Sequence, residues 1–563
     1  MSESSGLSKP WVENKTIGQV LNESAAWARG RPVAFFPERD FEATYEEFDQ
    51  LVNDAARGFM ALGLQRGDHV AIWATNWPQW VITQFATARI GAVLVNINPA
   101  YRVNELEYVL KQSDTKLLVT IDRFKTSDYV AIIRELCPEL ATASPGKLGS
   151  AKFPRLQGVV FVGDQPPPGM MSWRDLIDRG GQVSPQALAD REGSLSPRDP
   201  INMQYTSGTT GFPKGAMLSH RNLLLNAYYS GECQRLSADD RVCIPVPFYH
   251  CFGCVLGTLA CVVHGAAMVV PADYFDPGKT LDSIERCRAT SLYGVPTMFI
   301  SQLEHASYAS RDLKSLRTGI MAGSPCPIEL MKRVTGKMGA SELTIAYGLT
   351  EFSPVITQTR TNDAIEKRVE TVGKPLPGVE VKIIDAASGA TLPPGQPGEL
   401  CSRGHGTMIG YYNMPEATVK AIDKDGWLHT GDLSVQTPDG YFKITGRLKD
   451  MIIRGGENVY PREIEEFLYS HPMVEEVQVI GVPDEKYGEE IAAWIKLKAG
   501  QQSTVDEIRQ FCRERIAHYK VPRYVKFVPA FPMTVTGKIQ KFKMREIMVD
   551  ELGLHRAAEI RTA

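Results

Sequence analysis

The sequence predicts an α/β protein: a large N-terminal domain of mixed α/β subdomains plus a β subdomain, followed by a small C-terminal α+β domain. Three observations predict it. Strand-like and helix-like stretches alternate through the first half, a Pro/Gly-rich run with short strands occupies residues 375–397, and a compact helix–strand–strand–helix series begins after residue 450. Alternation of this kind argues for a mostly parallel sheet covered by helices.

Taken in order, residues 45–62 read as an amphipathic helix closed by Gly63, with strands at 69–73 and, after a further helix, at 92–97. Residues 141–154, ATASPGKLGSAKFP, read as a surface loop. Residues 251–270 contain no Asp, Glu, Lys or Arg, a run of 20 positions that is long enough to span a bilayer. His264-Gly265 divides that run into a helix-like and a strand-like half, which favours a buried helix, turn and strand over a membrane span. A strand follows at 379–384. Asp439-Gly440 predicts a type I′ hairpin, because both residues tolerate positive φ. The last unit opens with a helix at 461–469 that has proline in its first turn and packs Ile464, Phe467 and Leu468. Strands at 474–480 and 491–497 lead to a helix whose capping box is Thr504-x-x-Glu507.

With 62 Lys+Arg against 65 Asp+Glu in 563 residues, the net charge of −3 gives no global electrostatic case for nucleic acid or an anionic membrane. A composition of 43% hydrophobic and 23% charged residues excludes disordered and fibrous chains. The 10 cysteines sit mostly in apolar runs, so reduced thiols are expected. The polar start MSESSGLSKPWVENK has no apolar core of a secretory signal, and a cytoplasmic location is the expectation. Charge is uneven, however. From Arg509 to Arg545 there are ten basic residues and one acid, Glu514, which predicts a positive face suited to a polyanionic small molecule.

The sharpest feature is Tyr205-Thr-Ser-Gly-Thr-Thr-Gly-Phe-Pro-Lys-Gly215, after the alternating apolar run Ile201, Met203, Tyr205. Gly208, Gly211 and Gly215 permit close backbone approach. The hydroxyls of Thr206, Ser207, Thr209 and Thr210, together with backbone N–H groups, can ring an anion, and Lys214 adds a point charge. The common nucleotide loop needs glycine before its lysine and a hydroxyl after it; here Pro213 and Gly215 fill those places. A second feature, Cys251-x-x-Cys254 beside His250, could be a redox pair or zinc ligands. With no second such pair at finger-like spacing, and with the cysteines opening an apolar segment, that reading is disfavoured.

Running from the loop through Met217-Leu218-Ser219-His220, the sequence resembles the adenylate-forming (AMP-binding) superfamily, and YGLTEFSP at 347–354 with LYGVPTMF at 292–299 look most like its medium-chain fatty acyl-CoA ligases. Further motifs support the resemblance in order along most of the chain. Within Tyr347-Gly348-Leu349-Thr350-Glu351, it implies that Tyr347 stacks on adenine, Thr350 meets the α-phosphate and Glu351 holds Mg²⁺. Gly323, Ser324 and Pro325 would line the adenine face. Asp432, in Trp427-Leu-His-Thr-Gly-Asp432, would accept the ribose hydroxyls, with Arg447 as a second contact. Lys449 would be the hinge between an N-terminal adenylation domain, 1–448, and a mobile C-terminal catalytic domain, 449–563. Gly455, Gly456 and Glu457 would border the pantetheine path, and Lys538 would be the catalytic lysine of the first half-reaction. His250, in Pro247-Phe-Tyr-His-Cys-Phe-Gly253, would gate an acyl pocket lined by Tyr293, Val295 and Phe352. These walls offer no carboxylate for an amino group, which disfavours an amino-acid substrate.

The implied activity is an ATP-dependent acid–CoA ligase that passes through an acyl-adenylate and releases AMP and pyrophosphate. Its ligands are a small carboxylic acid, ATP, Mg²⁺ and CoA. The resemblance implies neither a nucleic-acid partner nor a transmembrane span, and it leaves peripheral membrane contact and homo-oligomer formation open. The alternative is an adenylate-forming enzyme that uses another acid or a carrier-protein thiol; a luciferase-like oxygenase and a silent nucleotide-binding protein stand further off.

Overall fold

The computed structural model describes residues 9–163, 165–206, 213–324, 326–454, 457–513, 515–534 and 538–555, with residues 449, 457 and 458 described by backbone alone. Two large sheets build the first four hundred or so residues. In the first, the parallel strands Val93–Asn96, His69–Trp73, Leu117–Thr120 and Gly158–Phe161 lie side by side, and Pro200–Thr206 joins Val93–Asn96 in parallel. The antiparallel hairpin of Pro200–Thr206 and Lys214–Ser219 carries Gly410–Tyr411 on its outer edge. In the second, Pro32–Phe36, Ala267–Val269, Arg241–Cys243, Ser291–Gly294, Thr318–Met321 and Glu342–Gly348 are successive parallel neighbours. Strands buried on both faces tolerate unbroken apolar runs, as in His69–Trp73, where all five residues are buried.

Local signals in the sequence explain the element ends. The helix Tyr45–Ala61 starts from a capping box, with the Thr44 side chain accepting from the Glu47 N–H and Glu47 reaching back. It stops before Gly63, whose φ is +79°. The expected apolar run resolves into a π-helix Phe252–Leu259, an α-helix Ala260–His264, a left-handed Gly265 and a buried strand Ala267–Val269. Gly231 on the helix His220–Gln234 has no side chain to block His264; a Cβ there would lie 2.2 Å from the imidazole Nε2. Among the described residues no helix is long and apolar enough to cross a membrane.

An antiparallel sheet of Val379–Ile384, Pro397–Gly404, Leu428–Gln436 and Phe442–Arg447 follows, as the Pro/Gly-rich texture predicts. Its last hairpin corrects one expectation. The turn spans Thr437 to Gly440, closed by the Gly440 N–H on the Thr437 carbonyl at 2.9 Å, with Pro438 and Asp439 as its central residues. Proline fixes φ near −65°, so the type I′ geometry is unavailable. Gly440 alone takes positive φ, at +83°.

The main hydrophobic core ends with Phe442 and the half-buried Ile444, and a new core begins at Ile452 with Val459, Ile464, Leu468 and Ile508. That second unit folds around a long hairpin, Val474–Asp484 with Gly488–Leu497, extended by a parallel strand Tyr524–Phe527. Helix Pro461–Tyr469 buries Ile464 and Leu468 against it, and Thr504 and Glu507 form the expected cap.

The basic stretch is a second correction. Lys520 pairs with Glu463, Arg523 with Asp484, Lys526 with Glu551, Lys541 with Glu465 and Arg545 with Glu489. Counting along the chain missed these acids because folding brings them in from other elements. The positive excess is therefore far smaller than the sequence count.

Candidate functional site

Three parallel neighbours of the second sheet, Ser291–Gly294, Thr318–Met321 and Glu342–Gly348, end side by side. Val295, Gly323 with Ser324, and Thr350 with Glu351 stand just beyond those ends. The carboxyl edge of an open parallel sheet is where α/β folds bind ligands. Gly323 takes φ +88°, and a Cβ on it would lie 3.0 Å from Val295 Cγ1, so the turn packs directly on the neighbouring strand end. Pro325 lies outside the described residues.

Tyr347 sits one residue before the end of its strand. Gly348 makes that position workable: a Cβ there would fall 1.8 Å from the Pro354 carbonyl oxygen of the returning chain. The Tyr347 hydroxyl donates to Asp432 Oδ2 at 2.8 Å, and Arg447 Nε lies 2.9 Å from Asp432 Oδ1. Two residues from different sheets, Tyr347 and Arg447, thus meet at the Asp432 carboxylate. Burial and the neighbouring Asp432 charge raise the Tyr347 phenol well above its ordinary range, so it stays protonated as a donor. Burial opposes the Arg447 charge, but Asp432 and Asp450 outweigh it and raise its pKa.

A second cluster joins the phosphate loop to the following motif. Thr206 and Lys214 are register partners, so the two ends of the loop lie opposite each other; Ser207, Gly208, Thr209 and Thr210 lie outside the described residues. The Lys214 ammonium lies 5.1 Å from the centre of the Tyr411 ring, and the Tyr411 hydroxyl donates to Glu351 Oε1 at 2.7 Å. Tyr411 was not identified from sequence. Its partner is 60 residues away, and the only local signal was an aromatic residue after Gly410. An ionised carboxylate that accepts one hydrogen bond keeps further lone pairs for a hard cation, so Glu351 fits Mg²⁺.

The third cluster surrounds His250. Its Nδ1 accepts from the Phe252 N–H at 3.2 Å and lies 3.6 Å from Cys251 Sγ, which is itself 3.8 Å from Thr350 Oγ1. Burial pushes His250 down to about 4, and the charge of Lys538 pushes the same way. The imidazole is neutral at pH 7. Tyr293 and Phe352 are wholly buried. Tyr293 stacks on Phe252 at 5.6 Å and accepts from Gln234 at 3.1 Å, so it backs an apolar wall from behind. All ten cysteines are buried free thiols. Burial pushes Cys251 up to about 12, so its thiol is protonated and weakly reactive at pH 7.

Among the described residues, the constellation with metal-ligand spacing is instead Glu399, Cys401 and His429, beside Asp432. Glu399 also escaped the sequence reading. Lys449 lies in a short helical turn directly after Arg447, and its side chain is not described. Gly455 and Gly456 lie outside the described residues, and Glu457 opens the strand Glu457–Val459.

Comparison with known proteins shows the family. The family described as "AMP-binding enzyme" matches residues 21–412, and "AMP-binding enzyme C-terminal domain" matches residues 463–538. YngI of Bacillus subtilis (strain 168) is 52% identical over 96% of this chain and 98% of its own. The mitochondrial medium-chain acyl-CoA ligase ACSF2 of Homo sapiens is 42% identical over 98% of this chain and 90% of its own. The crystal structure of the anthranilate CoA ligase AuaEII in complex with anthranoyl-AMP superposes with a TM-score of 0.83 at 27% identity, covering 96% of this chain and 98% of that one.

Proposed function

The chain belongs to the family of AMP-binding enzymes and is an AMP-forming acid–CoA ligase, and we propose that its acid is a fatty acid of medium chain length. In this reading the acid's carboxylate attacks the α-phosphorus of ATP, pyrophosphate leaves, and the CoA thiol then attacks the acyl-adenylate carbonyl and expels AMP. Two anions must meet in the first step, so it needs positive charge and enforced geometry.

The roles divide among the clusters. The loop ending at Lys214 holds the polyphosphate, and the ring of Tyr347 borders adenine with Gly323 and Ser324. Asp432 and Arg447 hold the ribose, while Thr350 stands at the α-phosphate. Glu351 holds Mg²⁺, which when bound neutralises triphosphate charge. His250, Val295 and the wall backed by Tyr293 and Phe352 face the acid. Lys538 bridges carboxylate and α-phosphate and must then withdraw to admit the thiol. That withdrawal motivates Lys449 as the hinge between residues 1–448 and 449–563, with Gly455, Gly456 and Glu457 beside the pantetheine arm. A place in fatty-acid metabolism goes with this substrate, and the compartment proposed for it is the cytoplasm.

One observation supports the reading most: Tyr347 and Arg447 converge on the Asp432 carboxylate while Tyr411 joins Glu351 to Lys214, which sets the groups assigned to nucleotide and phosphate around the carboxyl ends of the second sheet. The test is pyrophosphate release over saturated acids of graded length, with and without CoA, followed by mass analysis of the thioester. Turnover that peaks at intermediate length and yields acyl-CoA is expected. A peak with short or aryl acids would reject the chain-length assignment, and turnover only with a carrier-protein thiol would reject CoA as acceptor.

A further inference from the structure

The strand that carries Asp432 is interrupted where it matters. Glu399 pairs with Leu433 and Cys401 with His429, so Thr430, Gly431 and Asp432 lie opposite Leu400 alone. Such a bulge re-aims a side chain but strips backbone groups of their ladder partners. Here side chains replace the ladder. The Gly431 N–H, at a residue with φ +68°, donates to Glu399 Oε1 at 3.0 Å. Thr430 Oγ1 donates to the Leu400 carbonyl at 2.7 Å and accepts from the Asp432 N–H at 3.1 Å. The other carboxylate oxygen of Glu399 lies 3.1 Å from His429 Nδ1, which is also 3.6 Å from Cys401 Sγ. Asp423 approaches the opposite side of that imidazole, at 3.7 Å from Nε2. Glu399 is itself buried, at 8% exposure, so its carboxylate is held by these partners rather than by bulk water.

We propose that Glu399 is a positioning residue for the nucleotide: by fixing the Gly431 N–H it sets the bulge that presents Asp432 to the ribose hydroxyls. A buried charged acceptor on a backbone donor is a strong, short-range constraint. Without it, the Gly431 segment, which has no side chain of its own to pack, loses its anchor, and Asp432 follows. The inference rests on the assignment of Asp432 to the ribose.

The experiment separates the two by pairing protein variants with ATP and its 2′-deoxy and 3′-deoxy analogues in the pyrophosphate-release assay. In the wild-type enzyme, loss of a hydroxyl held by a carboxylate lowers kcat/KM roughly ten- to a hundredfold. In Glu399→Ala, activity with ATP falls by a similar factor while KM for the acid is unchanged. The deoxy penalty shrinks to about twofold, because the contact is already lost. Glu399→Gln keeps an acceptor for the Gly431 N–H and retains most of the deoxy penalty. Should the alanine variant fail to fold, Glu399→Asp, one methylene shorter, carries the same comparison. A Glu399→Ala variant, or Glu399→Asp in its place, that keeps the full deoxy penalty overturns the positioning role while leaving Asp432 at the ribose. A wild-type enzyme indifferent to either missing hydroxyl overturns both.

Discussion

Glu351 is held by a residue that no sequence motif points to. The Tyr411 hydroxyl donates to its carboxylate while the Tyr411 ring lies under Lys214, so one side chain couples the end of the glycine-rich loop to the carboxylate proposed to hold Mg²⁺. Tyr411→Phe keeps the ring and removes the hydroxyl. A hydrogen bond to a charged group contributes roughly 1.5–3 kcal/mol. Half-maximal pyrophosphate release should then need about tenfold more Mg²⁺, with the thermal midpoint little changed. An unaltered Mg²⁺ dependence would contradict the assignment. At this scale the sequence was legible where a residue type declares its chemistry by itself: Asp432, Glu351 and Lys214 could be picked out from their motifs. Tyr411 and Glu399 could not, because their roles exist only through partners 60 and 32 residues away in the chain.

Elements show the same division between local and distant causes. The helix Tyr45–Ala61 and the strand His69–Trp73 follow from caps and periodicity contained within them, and both appear where expected. The hairpin at residues 437–440 was expected as a pair of strands, and that was right. Its turn type was misjudged because Pro438, just upstream of Asp439-Gly440, limits φ. The parallel strand Tyr524–Phe527 could not be read from sequence, since a four-residue strand is defined by its neighbour. Gly348 supplies the test at this scale. A methyl group placed 1.8 Å from the Pro354 carbonyl oxygen must push the two chain segments apart. Gly348→Ala should destabilise the protein by about 1–3 kcal/mol and raise KM for ATP through the displaced Tyr347. A variant with unchanged unfolding and unchanged KM would show that the close approach is not needed.

Across the whole molecule, residues far apart in sequence meet at the carboxyl ends of parallel strands, and a second unit follows with a core of its own. The overall class, the β subdomain and the small C-terminal unit were visible in the texture of the chain. The charge distribution was not: a run of ten cations looked like a positive face, and in the fold half of them have acid partners from other elements. What remains of that idea is more specific, a single lysine, Lys538, whose charge lowers the pKa of His250. If Lys538 neutralises charge only while the adenylate forms, and the C-terminal unit swings it away before the thiol attacks, the two half-reactions must respond differently to its loss. The direct test is Lys538→Ala assayed in each half-reaction separately. Adenylate formation from acid and ATP should fall by orders of magnitude, while conversion of supplied acyl-adenylate and CoA to thioester should continue at close to the wild-type rate. Equal loss in both would contradict the account.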